Sequence, residues 1–142
     1  MPSSERQEYM FDATVLRNIA ASGAGFWRII IRIMVAGYRN ICISALAAAE
    51  LHKAINNHKL KRAERATLSN MLGLFEIVPF DATAAKVSGE LTATHGRAGK
   101  TTPRPDYMIA GHAVHIGRIL VTSNTKHFEG FPGLKLENWL KP

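Results

Sequence analysis

Apolar and polar positions along this chain switch repeatedly between a period of two and a period near 3.6, which predicts strands and helices in turn. A short strand is predicted over 8–11, where Tyr9, Met10 and Phe11 run together, followed by a helix from about Thr14. A second helix covers 26–36. Arg28 and Arg32, four apart, share one of its faces while Ile29, Ile30, Ile33 and Met34 lie largely elsewhere, so the segment reads as amphipathic. Residues 40–43 are β-rich, and Ser44 can cap the alanine-rich helix that follows. A helical stretch over 63–74 places Leu68, Met71, Leu72 and Phe75 on one side. A strand over 76–80 ends at Asp81, an N-cap for a helix running to about His95. The chain then breaks through 96–103 before a helix from Asp106 to near Gly117, a strand over 118–122 and an edge strand over 134–136.

Strands alternating with helices predict an α/β domain with a mainly parallel sheet. At 142 residues, the chain suits a single domain over 1–142, with 1–7 expected to be flexible. Its apolar fraction of 46% and charged fraction of 20% are those of an ordinary globular protein. The most apolar segment, 26–37, is divided by two arginines and is too short to span a bilayer, so a cytoplasmic protein without a membrane partner is expected. Cys42 is the sole cysteine, which excludes an internal disulfide and a cysteine zinc site. His112 and His115 stand three apart with no third ligand beside them. Trp27 and Trp139 read as core or partner anchors.

Net charge is +7, with a sequence pI near 9.9, which suits a polyanionic partner such as RNA. Against this background three acids stand out. Asp12 ends the first apolar run, Glu50 interrupts the alanine-rich helix, and Asp106 opens the helix after Pro105. Asp12 and Asp106 each suit a helix start as well. Glu50 has apolar neighbours at helical spacing, Leu46, Ala47 and Ala54, so its face is expected to be buried, with Lys53 as an alternative ion-pair partner. In an open parallel sheet, ligands gather at the carboxyl ends of the strands, where Asp12, Glu50 and Asn124 could meet. Converging carboxylates repel unless a cation lies between them, and Mg²⁺ takes oxygen ligands of this kind. Thr14 and Ser44 are hydroxyls just behind strand ends, and Arg97, Lys100 and Arg104 form a basic loop leading into Asp106.

Four segments, MFDATVL, ICISALAAAEL, RPDYMIAGHAVHIGRILVTSNTKHF and FPGLKLENWL, resemble the PIN-domain family, specifically VapC toxins of bacterial toxin–antitoxin pairs. The resemblance runs from about Tyr9 to Leu140 and implies a three-layer α/β/α fold. It also implies a Mg²⁺-dependent endoribonuclease, with Mn²⁺ able to substitute, that hydrolyses RNA, plausibly tRNA, by a metal-activated water. By it, Asp12, Glu50 and Asp106 match the three acidic metal positions, and Asn124 falls at the fourth catalytic position. Thr14, Ser44, Arg97, Lys100 and Arg104 are the expected substrate contacts. The implied partners are a cognate VapB-type antitoxin, RNA and a second copy of the chain, in a homodimer within a hetero-oligomer. The chain departs from the family pattern at Ala13-Thr14 (usually Thr-Asn), at Pro105 (usually Asn) and at His127 (commonly Glu). An inactive PIN-like RNA- or antitoxin-binding module is the alternative.

Overall fold

Central strands of a parallel sheet are covered on both faces, and such strands read as unbroken apolar runs. β1 (Tyr9–Phe11), β2 (Ile41–Ser44) and β4 (Ile119–Val121) fit that rule, with Met10, Phe11, Ile41, Cys42, Ile43, Leu120 and Val121 fully buried. The computed structural model describes residues 6–23, 25–97 and 105–142. Within them β3 (Glu76–Val78) and β5 (Leu136–Glu137) complete a five-stranded sheet in the order β3-β2-β1-β4-β5, every pair parallel. The third and last strands are therefore edges, which accounts for their greater exposure.

The helices are α1 (Ala13–Ala20), α2 (Phe26–Ala36), α3 (Ala45–Ile55), α4 (Arg62–Leu74), α5 (Ala82–Arg97) and α6 (Pro105–Ile116). α1, α3 and α4 pack on one another, and α5 packs on α6, giving the α/β/α layering. Leu68, Met71, Leu72 and Phe75 are buried, as the spacing in α4 predicts. Trp139 is buried with its ring edge against Phe11, at a centroid distance of 5.2 Å. Among the described residues no helix is long and apolar enough to cross a membrane.

α2 turns its predicted apolar side inward in large part: Ile29 is buried and Ile30 and Ile33 pack against the core, while Met34 faces solvent. Of its residues only Ile29 is fully buried, and the exposed Arg28 and Arg32 flank the packed side and reach the carboxyl-terminal segment. Arg28 donates to the Leu140 carbonyl at 3.2 Å, and Arg32 pairs with Glu137 at 3.1 Å while lying 5.2 Å from the Trp139 ring centroid. The carboxyl-terminal segment supplies the acceptors the two guanidinium groups need. Trp27, Ile31, Met34 and Val35 are left in solvent, with Val35 83% exposed.

Register sets what meets at the sheet's carboxyl edge. Phe11 lies opposite both Ile43 and Val121, so Asp12, Ser44 and Thr122 emerge level with one another. The Asp12 N–H donates to Val121 O at 3.2 Å, which ties the end of β1 to the end of β4.

The α5–α6 crossing is unusually close. A Cβ built on Gly111 would stand 2.5 Å from Ser88 Cα, a backbone atom that cannot swing aside. Gly111→Ala should therefore destabilise the protein by about 1–3 kcal/mol despite alanine's better helix propensity. A urea midpoint equal to that of the parent chain would contradict this crossing.

Candidate active site

Asp12 follows β1 directly and caps α1. It is 5% exposed, its Oδ1 accepts from Thr14 Oγ1 at 2.6 Å and from Val15 N–H at 3.3 Å, and Thr122 adds a further hydrogen bond. Capping and burial thus coexist in one side chain. Burial raises its pKa above the ordinary value, opposed by the hydrogen bonds from Thr122, Thr14 and the backbone. Thr14, one place later than the family pattern puts its hydroxyl, still reaches the carboxylate and also accepts from Ser123 Oγ at 3.2 Å.

Glu50 is exposed, contrary to the face expected from Leu46, Ala47 and Ala54. Helical spacing located that apolar face correctly, and Ala47 and Ala54 are buried, but Glu50 lies at its margin. Among the described residues it forms no ion pair with Lys53 or any other base. Its pKa is raised, first by desolvation and then by the negative charges of Asp106 and Asp12, with Arg17 and Lys53 opposing. Glu50 is therefore close enough to both other acids to feel their charge.

Asp106 lies in the first turn of α6, one-third exposed, with His127 Nε2 at 3.0 Å from its Oδ2. Asn124 is exposed, and its backbone does the turn-making: its N–H donates to Thr122 Oγ1 at 3.1 Å, and its carbonyl accepts from the His127 N–H at 3.2 Å. Ser44 is fully buried. Its Oγ accepts from Leu46 N–H at 3.1 Å and lies 3.0 Å from His112 Nδ1, so its hydroxyl is held inside the fold, away from any substrate. His112 is buried too, and its pKa is lowered by desolvation and then by His115. Arg97 ends α5, while Lys100 and Arg104 lie outside the described residues. Among the described residues no group of three His, Cys, Asp or Glu side chains is arranged to hold a metal ion as it stands.

The PIN domain model matches residues 9–133. The chain belongs to the PIN domain family. It is 34% identical over 108 residues to Ribonuclease VapC2 of Rickettsia felis, covering 76% of this chain and 81% of that protein. It is 33% identical over 99 residues to the tRNA(fMet)-specific endonuclease VapC of Shigella flexneri, covering 70% of this chain and 75% of the relative. Its fold superposes on that of the Rickettsia felis VapBC2 crystal structure, bound to a DNA fragment from their promoter, with a TM-score of 0.79 and 28% identity. That match covers 94% of this chain and 99% of the other.

In this PIN domain a groove of about 560 Å³ adjoins the acids, lined by Arg17, Glu50, Lys53, Ala54, Asn57 and Pro105. Arg17 and Lys53 supply its positive charge, and sequence reasoning passed over Arg17 altogether. Its signal was its place on α1, a little over one helical turn beyond Asp12. On the sequence Lys53 reads as an ion-pair partner for Glu50, and Thr122 reads as part of the Thr-x-Asn segment, with nothing there to tie it to Asp12.

The raised pKa of Asp12 means that ionising it costs the folded state stability above that pKa, a cost that vanishes below its ordinary value of 3.8. Asp12→Asn cannot ionise and still caps α1. Without metal, its thermal midpoint should exceed the parent's at neutral pH, and the difference should shrink as the pH is lowered toward 3.8. Equal midpoints at neutral pH would mean that this burial carries no electrostatic cost.

Proposed function

We propose that this PIN domain is a metal-dependent endoribonuclease of the VapC type, the toxin of a toxin–antitoxin pair. The observation that carries the reading is the repulsion Glu50 meets from Asp106 and Asp12, expressed in its raised pKa, beside a groove bordered by Arg17 and Lys53. Its related proteins are named ribonucleases and endonucleases, which agrees with that chemistry.

The donor set fits a hard divalent cation. Its members are carboxylate oxygens, none tied to Lys or Arg among the described residues, and their shared negative field favours Mg²⁺, with Mn²⁺ as a substitute. Asp12, Glu50 and Asp106 would hold the ion, with the exposed Asn124 amide in reach of solvent at the same edge. Once bound, the ion would neutralise charge on the phosphodiester and make a water acidic enough to attack it near neutral pH.

The chain's own groups do the remaining work. Thr14, Thr122 and Val15 N–H keep the Asp12 carboxylate in one orientation. Arg17 and Lys53 would take neighbouring phosphates of the RNA along the groove, and the overall positive charge would draw the strand in. Cys42 is no competitor as a nucleophile, because it is buried and its pKa is pushed up to about 11 by desolvation. tRNA is the proposed substrate class, and a homodimer the proposed assembly.

The solved structures it resembles include toxin–antitoxin complexes. We assign the solvent-facing stripe Trp27, Ile31, Met34 and Val35 of α2 to a VapB-type antitoxin, since it is an apolar helix face left open. The competing reading, an inactive binding module, draws on the open spacing of the carboxylates and the approach of His127 to Asp106.

RNA cleavage by the purified chain separates the two. Cleavage should need added Mg²⁺ or Mn²⁺ and fall by about 10²-fold or more in Asp106→Asn. In the same assay, a co-purified antitoxin should inhibit the parent, and Val35→Asp should escape. Equal cleavage with metal, without metal and in Asp106→Asn would remove the metal mechanism, and no cleavage in any of the three would leave the binding module.

A further inference from the structure

His127 occupies the 3₁₀ turn Thr125–Phe128 after β4, and its Nε2 lies 3.0 Å from Asp106 Oδ2. That approach is not a hydrogen bond. Nε2 is buried and has no aligned partner, although the side chain as a whole keeps 17% of its surface. The ring is also fixed in place. It stacks on Tyr107 at 5.7 Å between centroids and 29° between planes, and meets Phe128 edge-on at 5.5 Å. Tyr107 Oη donates to the His127 carbonyl at 3.3 Å, which pins the backbone beneath the ring.

An octahedral ion with bonds of about 2.1 Å holds adjacent ligands √2 times farther apart, about 3.0 Å. The observed separation matches that of two ligands sharing one ion, as it also matches an ion pair between the same atoms, and the unpartnered, buried Nε2 favours the former. Building on the metal-dependent reading above, we propose that His127 Nε2 and Asp106 Oδ2 are adjacent ligands of the same divalent ion. The site is then a mixed nitrogen–oxygen one that takes Mn²⁺ in preference to Mg²⁺. Imidazole suits transition metals, whereas Mg²⁺ is held by oxygen and retains its waters. A glutamate at this position, as the sequence resemblance has it, would give an all-oxygen set, so the histidine shifts selectivity in this chain.

The test is pulsed electron paramagnetic resonance of the full-length chain with Mn²⁺ alone, beside competition between Mn²⁺ and Mg²⁺ followed by calorimetry. The parent should show ¹⁴N coupling of a directly bound imidazole. In His127→Glu that coupling should disappear, and the preference for Mn²⁺ over Mg²⁺ should drop about tenfold or more. The parent spectrum carries the test even if the variant folds poorly. Mn²⁺ bound without nitrogen coupling, or coupling that persists in His127→Glu, overturns this ligand while leaving the acidic site intact. No Mn²⁺ binding at all overturns both.

Discussion

Like charges gathered at one edge of a parallel sheet are the constraint around which this molecule is arranged. Asp12, Glu50 and Asp106 come from separate parts of the chain, and Glu50 responds to both others through a raised pKa. The fold tolerates the repulsion by stabilising each acid separately. Asp12 is hydrogen-bonded by Thr14, Thr122 and a helix-start N–H, Glu50 stays open to water, and Asp106 sits at the start of α6 beside His127. None is neutralised by a lysine or arginine ion pair among the described residues, so the negative field is left for a cation.

The rest of the architecture serves that edge. Parallel register brings the ends of β1, β2 and β4 level, and buried side chains on both faces keep the sheet rigid beneath them. Arg17 and Lys53 stand far enough from the acids to avoid quenching them yet close enough to share the groove. A local acidic centre within a basic chain reconciles two needs: a hard cation requires oxygen anions, and a nucleic acid backbone requires positive charge. α2 lies apart from this chemistry, held by Ile29, Ile30 and Ile33 to the core and by its arginines to the carboxyl-terminal segment, with Trp27, Ile31, Met34 and Val35 outward.

Most of the fold was legible in the sequence because central parallel strands and amphipathic helices leave strong periodic signals. The edge strands were placed less well: the last forms over Leu136–Glu137 rather than 134–136, because its span is set by pairing with Leu120 and Val121 of β4, which apolar pattern alone does not show. In α2 the side carrying Ile29, Ile30 and Ile33 was legible, whereas Met34 and the rest of the open stripe were not. Periodicity separates two helix faces, but it cannot say that Arg28 and Arg32, exposed beside the packed side, will find acceptors in residues more than a hundred positions away. The candidate acids were legible as types, because a carboxylate inside an apolar run is costly. Their supports were not. Thr122 touches Asp12 only through the pairing of β1 with β4, and His127 meets Asp106 only once the turn after β4 folds back on α6. Ser44 was readable as a cap, and capping is where its hydroxyl is engaged.

Anomalous diffraction from a crystal of the parent chain soaked in Mn²⁺ tests the central claim most directly. The account predicts a manganese peak within about 2.3 Å of carboxylate oxygens from at least two of Asp12, Glu50 and Asp106. A saturating soak that leaves those carboxylates without a peak would contradict it.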